Sequence, residues 1–523
     1  MGIVVLLCIW LNNISSRIGI PTLLAFIVLG MLFGNNGLVP LHFDNYDIAR
    51  EICTVALIFI MFYGGFGTKW DAARPIVREA VVLASLGVAL TAGLTGLFCH
   101  YALKWGWAES FLMGSVISST DAASVFSILR SKKLGLRNNT APLLEMESGS
   151  NDPCSYMLTA MMLGIINGTA SGAGIAWMLF AQIAFGLACG FGIARLATLA
   201  LERVRIKGDG YDSLFILATA VLAYAIPDLI GGNGYLSVYI VGIILGNSEF
   251  PGKKAQVNFF DGVTGLMQVL IFFLLGLLAK PAMLHKAVLP AMAIFLFMLL
   301  VARPVAVSSI LLPFGRHPLR QQALISFVGL RGAASIVFAI MAVSGSAMLE
   351  HDLFNIVFCI VLISISLQGS LIPQVSRRLK MIDVRDNVMK TFNDYSEGSE
   401  MQFGSIDIAK GSNWDGKRVR ELGLPRNVLI ALVIRDGERI TAHGDTVVRS
   451  GDTAVLVTKT FDDTSTFLLE RTVKDGGKLD GHAICEFKGE GLVILIRRGE
   501  KEIIPHGDTV MRAGDRIVIL KSK

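Results

Sequence analysis

Charge is thin in this chain. Asp, Glu, Lys and Arg make up 17% of its 523 residues, where a soluble globular protein carries roughly 25%. With 53% hydrophobic residues and a mean hydropathy of +0.60, that scarcity excludes a soluble enzyme and points to an integral membrane protein. Cysteine is also sparse: seven residues, an odd number, with no C-x-x-C pair. A disulfide framework and a thiolate metal centre are therefore not expected, and Cys53, Cys99, Cys154, Cys189 and Cys359 read as small packing residues. No basic stripe is interleaved with aromatics, so the net charge of +6 does not imply nucleic acid. No G-x-G-x-x-G opens a helix in the polar C-terminal region, and no Thr-Val-Gly-Tyr-Gly filter occurs, which argues against a nucleotide-binding Rossmann half and a channel of that kind. No basic segment precedes the first apolar stretch, so no cleavable signal is expected. That stretch is short for a span, and the natural start is expected a few residues upstream.

What is present divides at about Ser376. Before it, apolar stretches lie near 2–14, 20–34, 52–67, 81–101, 110–130, 142–166, 174–199, 213–228, 235–247, 263–279, 287–312, 323–345 and 353–376. Hydropathy thus predicts about thirteen spans. With the polar C-terminal region in the cytoplasm, the inner loops hold Arg17, Lys69, Arg74, Arg78, Arg130, Lys132, Lys133, Arg137, Arg203, Arg205, Lys207, Lys253, Lys254, Arg316, Arg320, Arg377, Arg378 and Lys380. The outer loops hold only Arg50, Lys104, Lys280 and Lys286, as the positive-inside rule requires. The odd count inverts two six-helix halves about a linking seventh, the arrangement of many secondary transporters.

Two motifs set carboxylates inside these apolar stretches: Ser119-Thr120-Asp121 and Glu147-Ser148-Gly149-Ser150-Asn151-Asp152-Pro153. An ionisable side chain at membrane depth is costly, so its default reading is an ion or proton pathway. The small, hydroxyl-rich residues 115–124 suit a packed helix or one that unwinds and lends carbonyl oxygens to a cation; the alternative is a Thr-Asp pair capping a re-entrant turn. Glu147 and Asn151 share one helical face, Ser148 and Asp152 the next, and Pro153 frees a carbonyl one turn earlier. These hard oxygens suit Na⁺ or K⁺. A buried carboxylate that holds either a proton or a cation, and hardly both, carries the chemistry of an antiporter. Arg331, also in an apolar stretch, needs a nearby anion, and Glu147 is the expected partner.

Ser-Ser-Thr-Asp-Ala-Ala, Glu-Ser-Gly-Ser-Asn-Asp-Pro and Gly329-Leu330-Arg331-Gly332-Ala333-Ala334, in that order, resemble the NhaP branch of the monovalent cation/proton antiporters. The resemblance implies an NhaA-like antiporter fold with inverted repeats, and a homodimer whose core domain moves in an elevator-like cycle. It implies that Asp152 alternates between proton and cation. Thr120, Ser148 and Asp121 would supply or position further oxygens, Asn151 would suit electroneutral exchange, and Glu147 would pair with Arg331 as a structural ion pair. One departure is visible: many relatives carry an acidic residue before the Gly-Gly of the third span, where this chain has Tyr63. Other polar residues read as ordinary. His42, His100, His285, His317 and His351 sit near span ends without an evident partner, Arg303-Pro304 reads as a kink with its charge near the interface, and Gly186, Gly190 and Gly192 allow close helix packing.

After a linker at 381–402 the pattern becomes β-like and repeats. His-Gly-Asp-Thr-Val recurs at 443–447 and 506–510, each within strand, Arg-x-Gly hairpin, strand, loop, Gly-Asp turn, strand. His443 and His506 read as turn residues. The first unit, 403–465, resembles the C-terminal lobe of regulators of potassium conductance (the TrkA-C type), and 466–523 looks like a shortened copy. Such lobes dimerise and often take a small ligand, a nucleotide or cyclic dinucleotide among relatives; a dimer clamp without ligand is the plainer reading.

The expectation is therefore a mainly α-helical polytopic membrane protein with small α+β cytoplasmic domains. It would be a multi-pass antiporter of the bacterial inner membrane, resembling the potassium/proton (cell volume regulation) subgroup, and not an enzyme. It would exchange K⁺ for H⁺, with Na⁺/H⁺ exchange as the alternative and a gated channel or organic-anion carrier as the competing classes. Its partners would be lipid, a second copy and a regulatory ligand, with no cofactor, no nucleic acid and no metal beyond the transported ion.

Overall fold

The computed structural model describes residues 22–34, 43–131, 134–169, 172–203, 210–248, 250, 253–346, 349–383 and most of 401–522, with scattered positions among 2–11. His42 lies outside the described residues. The chain forms two units, Met1–Glu397 and Gly398–Lys523.

The first unit is helical: α1 Thr22–Phe33, α2 Tyr46–Gly67, α3 Trp70–Leu103, α4 Trp107–Val116, α5 Ala122–Ser131, α6 Thr140–Ile166, α7 Gly172–Arg203, α8 Tyr211–Leu229, α9 Gly234–Asn247, α10 Lys253–Leu278, α11 Met283–Phe314, α12 Leu319–Val328, α13 Ala333–Gly345 and α14 Leu353–Arg378. Seven of the described helices are each long and apolar enough to cross a membrane, eight if the bent pair α12 and α13 is one span. The hydropathy count of about thirteen is larger because it also admits short helices such as α1 and α9 and the interrupted stretch 110–130. Helices α1, α2, α7, α8, α9 and α10 pack on one another, as do α3, α4, α6, α11 and α14, and α13 leans on α2. Gly186 and Gly190 of α7 abut α9 as expected, whereas Gly192 faces open space.

Three apolar helices contain π-helical turns, at Leu83–Gly87, Met298–Ala302 and Ser364–Gly369. Each adds a residue to the turn and so re-aims the side chains that follow. Two short strands, β1 Gly135–Leu136 and β2 Ile382–Asp383, pair antiparallel and tie the loop before α6 to the chain just past α14.

The second unit is two small antiparallel sheets. Strands β3 Met401–Asp407, β4 Val428–Arg435, β5 Glu438–Thr441 and β6 Thr453–Lys459 lie in the order β3-β6-β4-β5. Strands β7 Thr466–Thr472, β8 Leu492–Arg498, β9 Lys501–Ile503 and β10 Arg516–Ser522 repeat that order as β7-β10-β8-β9. Ile430, Val433, Val448 and Ala454 fill the first core, and Val493, Ile496, Met511 and Ile517 the second. The second lobe is not shortened: it repeats the first strand for strand, including a 3₁₀ turn at Val419–Glu421 and again at Ile484–Glu486.

Candidate functional site

Two helices break where the motifs lie. Between α4 and α5 the chain unwinds through Ile117–Asp121, and between α12 and α13 through Gly329–Gly332. A broken helix leaves unpaired carbonyls at one stump and unpaired N–H groups at the other. Each break satisfies the other. Arg331 Nη1 donates to the carbonyl oxygens of Ser118 (2.7 Å) and Ser119 (2.6 Å), past the C-terminal end of α4. The Asp121 backbone N–H donates to the Leu330 carbonyl at 2.8 Å. The Asp121 carboxylate accepts from the Ser124 N–H (3.1 Å) and from its hydroxyl, and so caps α5. Gly332 allows this crossing, because a Cβ there would lie 2.0 Å from Asp121 Oδ2.

Helix α6 runs past the break and lays its polar face on it. Asp152 Oδ1 accepts a hydrogen bond from the Ser119 hydroxyl. The Ser148 hydroxyl donates to the Thr120 carbonyl (2.6 Å), and the Asn151 amide donates to Thr120 Oγ1 (2.6 Å). All of these side chains are buried. Asp152, Thr120, Ser148 and Asp121 line a cavity of about 480 Å³; Asn151 stands behind it and holds Thr120. The structure therefore gathers all five predicted residues, with Asp121 also capping α5.

The predicted Glu147–Arg331 pair is not formed. Glu147 Oε1 instead meets Arg303 Nη2 at 2.8 Å, with both side chains almost fully buried. Arg331 is spent on carbonyl oxygens, and its backbone N–H donates to Ser364 Oγ at 3.0 Å. Arg303 is likewise not at the interface. It directly follows the π turn Met298–Ala302, which directs it inward, and it fits against Gly329, where a Cβ would lie 2.9 Å from its Nε.

Three cavity residues were not among the predicted site residues, although Ser119 lies inside a motif. Ser119 is the group on Asp152, while Glu145 and Asp261 add carboxylates to the wall. Asp261 Oδ1 accepts from the Tyr63 hydroxyl at 3.1 Å, so α10 supplies an acidic group close to where the third span lacks one. Asp261 sits in α10 beside Gly262 and Gly265, and that run of small residues within a hydrophobic helix was the available signal. Two histidines read as partnerless have carboxylate neighbours: His351 Nδ1 lies 2.8 Å from Glu109, and His317 Nε2 lies 3.8 Å from Glu79. Neither borders the cavity. Glu350 joins Glu109 and His351 in a cluster of metal-type side chains, in which Glu109 is already bonded to the His351 ring and N–H.

In the second unit each lobe carries one arginine fork on a buried aspartate. Arg435 Nε and Nη2 meet Asp452 at 2.8 and 2.7 Å, and Arg498 Nε and Nη2 meet Asp515 at 2.9 and 2.8 Å. Nη2 of each also donates to a carbonyl, Val447 or Val510, at 2.8 Å. Gly451 and Gly514 precede the aspartates at φ of 92° and 85°, a turn that favours glycine. The arginine forks hold the Asp452 and Asp515 carboxyls below the ordinary range, and the Arg449 and Arg512 N–H groups add to this. His443 and His506 are turn residues, their N–H groups donating to Thr446 and Thr509 hydroxyls (2.9 and 2.8 Å).

Residues 2–378 match the sodium/hydrogen exchanger transmembrane family, and 404–460 and 468–523 each match the TrkA-C domain. The chain is 34% identical over 474 residues to the K(+)/H(+) antiporter NhaP of Alkalimonas amylolytica, covering 90% of this chain and 82% of that one. It is 32% identical over 448 residues to the K(+)/H(+) antiporter NhaP2 of Shewanella baltica, covering 84% and 77%. The structure of the sodium proton antiporter MjNhaP1 from Methanocaldococcus jannaschii superposes with a TM-score of 0.64 at 21% identity, over 72% of this chain and 97% of that one. With these matches spanning both units, the chain belongs to the sodium/hydrogen exchanger family and is a cation/proton antiporter that carries two TrkA-C domains.

Proposed function

We propose that the protein exchanges K⁺ for H⁺ by alternating protonation and cation binding at Asp152. The observation that carries this reading is a buried carboxylate lining a cavity, on which no basic side chain rests among the described residues. A charge buried without a counter-ion is held only at high cost, so such a group carries a proton or a cation. Asp152 releases its proton on one side, takes a dehydrated cation with oxygens from Thr120 and Ser148, crosses, releases the ion and is reprotonated. Asn151, an uncharged neighbour of Asp152 already bonded to Thr120, adds no second titrating group beside it and supports one-for-one exchange. Potassium is favoured because the relatives that match over both units are named K(+)/H(+) antiporters; Na⁺ is the second reading, after the family as a whole.

In this reading residues 1–380 form a membrane domain of about thirteen spans in inverted halves, working as a homodimer in a bacterial inner membrane. Residues 381–402 link it to cytoplasmic regulatory lobes at 403–465 and 466–523, which bind a nucleotide or cyclic dinucleotide. The chain leaves the membrane domain at β2, whose pairing with β1 ties the linker to the loop just ahead of the Asp152 helix. That pairing supplies a path by which the lobes act on transport.

The test is dequenching of a pH dye in everted vesicles, titrating K⁺, Na⁺ and Li⁺ in parallel. Asp152→Asn is expected to abolish dissipation of ΔpH by every ion. A variant that still dissipates ΔpH on addition of K⁺ or Na⁺ would rule the cycle out.

A further inference from the structure

We infer that Ser119 is a cation ligand and affinity determinant of the exchange site, its hydroxyl giving up a hydrogen bond to Asp152 when the ion arrives. The inference rests on Asp152 being the carrier carboxylate.

Ser148 spends its proton on the Thr120 carbonyl, and Thr120 Oγ1 accepts the Asn151 amide. Those groups brace one another across the break. The Ser119 hydroxyl alone donates to the Asp152 carboxylate among the described contacts. Ser119 is buried, lines the same cavity as Asp152, and sits in the unwound stretch where no helical turn dictates its direction. Its placement is nonetheless firm. Its carbonyl is gripped by Arg331 Nη1 at 2.6 Å, and the Arg331 backbone is anchored to Ser364 at 3.0 Å.

A serine hydroxyl has one proton and two lone pairs. Facing an ionised carboxylate, it donates. Facing a cation on that carboxylate, it turns the proton away and presents a lone pair, a hard oxygen of the kind alkali cations take. The same atom thus serves both states without any movement of the backbone. Removing it deprives the ion of one oxygen while leaving Asp152 and the braces around Thr120 in place.

Ser119→Ala is expected to raise the apparent KM for K⁺ about tenfold, the size of one oxygen contact to a charged group, with maximal rate kept. Ser119→Thr retains the hydroxyl and is expected to stay near the wild-type KM. Both are measured by dye dequenching in everted vesicles, at protein levels matched by immunoblot. A raised KM in Ser119→Ala with rescue in Ser119→Thr supports the inference. A wild-type KM in Ser119→Ala, or a loss of maximal rate alone, overturns it. If Ser119→Ala fails to reach the membrane, Ser119→Cys carries the comparison, since its shape is kept and its sulfur is a poor ligand for a hard cation: a raised KM supports the inference and a wild-type KM overturns it. Asp152→Asn, run alongside, separates the two failures. If it retains exchange, the cycle itself is wrong; if it is inactive while Ser119→Ala behaves as wild type, only the role of Ser119 falls.

Discussion

The two units bury arginines against carboxylates in opposite ways. In the TrkA-C lobes, Arg435 and Asp452 lie 17 residues apart, and so do Arg498 and Asp515. Each pair closes one small sheet, is shared with a nearby carbonyl, and recurs because the unit recurs. In the membrane unit, Glu147 and Arg303 are separated by 156 residues and meet across a helix bundle. A second arginine, Arg331, lies close by and serves carbonyl oxygens instead. Local pairs follow from a turn, so their spacing is a property of the unit. A distant pair follows from how helices are rotated, and one π turn is enough to change which arginine reaches the glutamate.

The largest expected effect breaks the distant pair. Truncating Glu147 or Arg303 alone leaves an uncompensated buried charge and costs about 3–5 kcal/mol; thermal melts in detergent should show both variants strongly destabilised. A double-mutant cycle sharpens the assignment. Glu147 with Arg303 should show a coupling of about 2 kcal/mol, and Glu147 with Arg331 a smaller one. Equal coupling to both arginines would place the charge on the cluster and not on one pair.

Next come the lobe pairs. Asp452→Ala or Asp515→Ala removes a charge-assisted fork and should cost its lobe about 2–3 kcal/mol, read as faster limited proteolysis beyond residue 400 with the membrane unit intact. The same pairs set a pH limit. Their carboxyls are held below the ordinary aspartate value of about 4 in the folded lobe. Their contribution is therefore complete above that value and is lost as pH falls through the lowered folded one. Protease resistance of the lobes should be flat from neutral pH down to about 5 and fall below about 4. In an Asp452→Asn, Asp515→Asn protein that acid step should be reduced.

The smallest effect concerns the cavity wall. Tyr63→Phe removes one hydrogen bond to Asp261, worth about 1 kcal/mol. It should raise the KM for K⁺ a fewfold in the vesicle assay, with maximal rate kept. An unchanged KM would leave Asp261 as wall and nothing more.

Much is legible in the sequence. Apolar stretches and the β-like repeat marked two regions, since hydropathy and alternation are local properties. Asp121, Asp152, Thr120, Ser148 and Asn151 were found because polar side chains in apolar helices stand out, and they do converge. Ser119 stood inside a recognised motif, but which hydroxyl turns toward Asp152 depends on an unwound backbone that no periodicity describes. Asp261 was missed because its helix reads as an ordinary amphipathic start to a span.

Sequence alone determined the solvent of each region, the order of the helices, the repeat of the lobes and the motif carboxylates Asp121 and Asp152, because composition and short-range spacing carry all of these. Tertiary structure decided which arginine Glu147 meets, what Arg331 holds, and that Asp121 caps a half-helix while Asp152 faces the cavity. Those outcomes depend on helix rotation and on two helix breaks, one of them bounded by Gly329 and Gly332, meeting across the bundle, where a shift of one residue per turn redirects a side chain by about 100°.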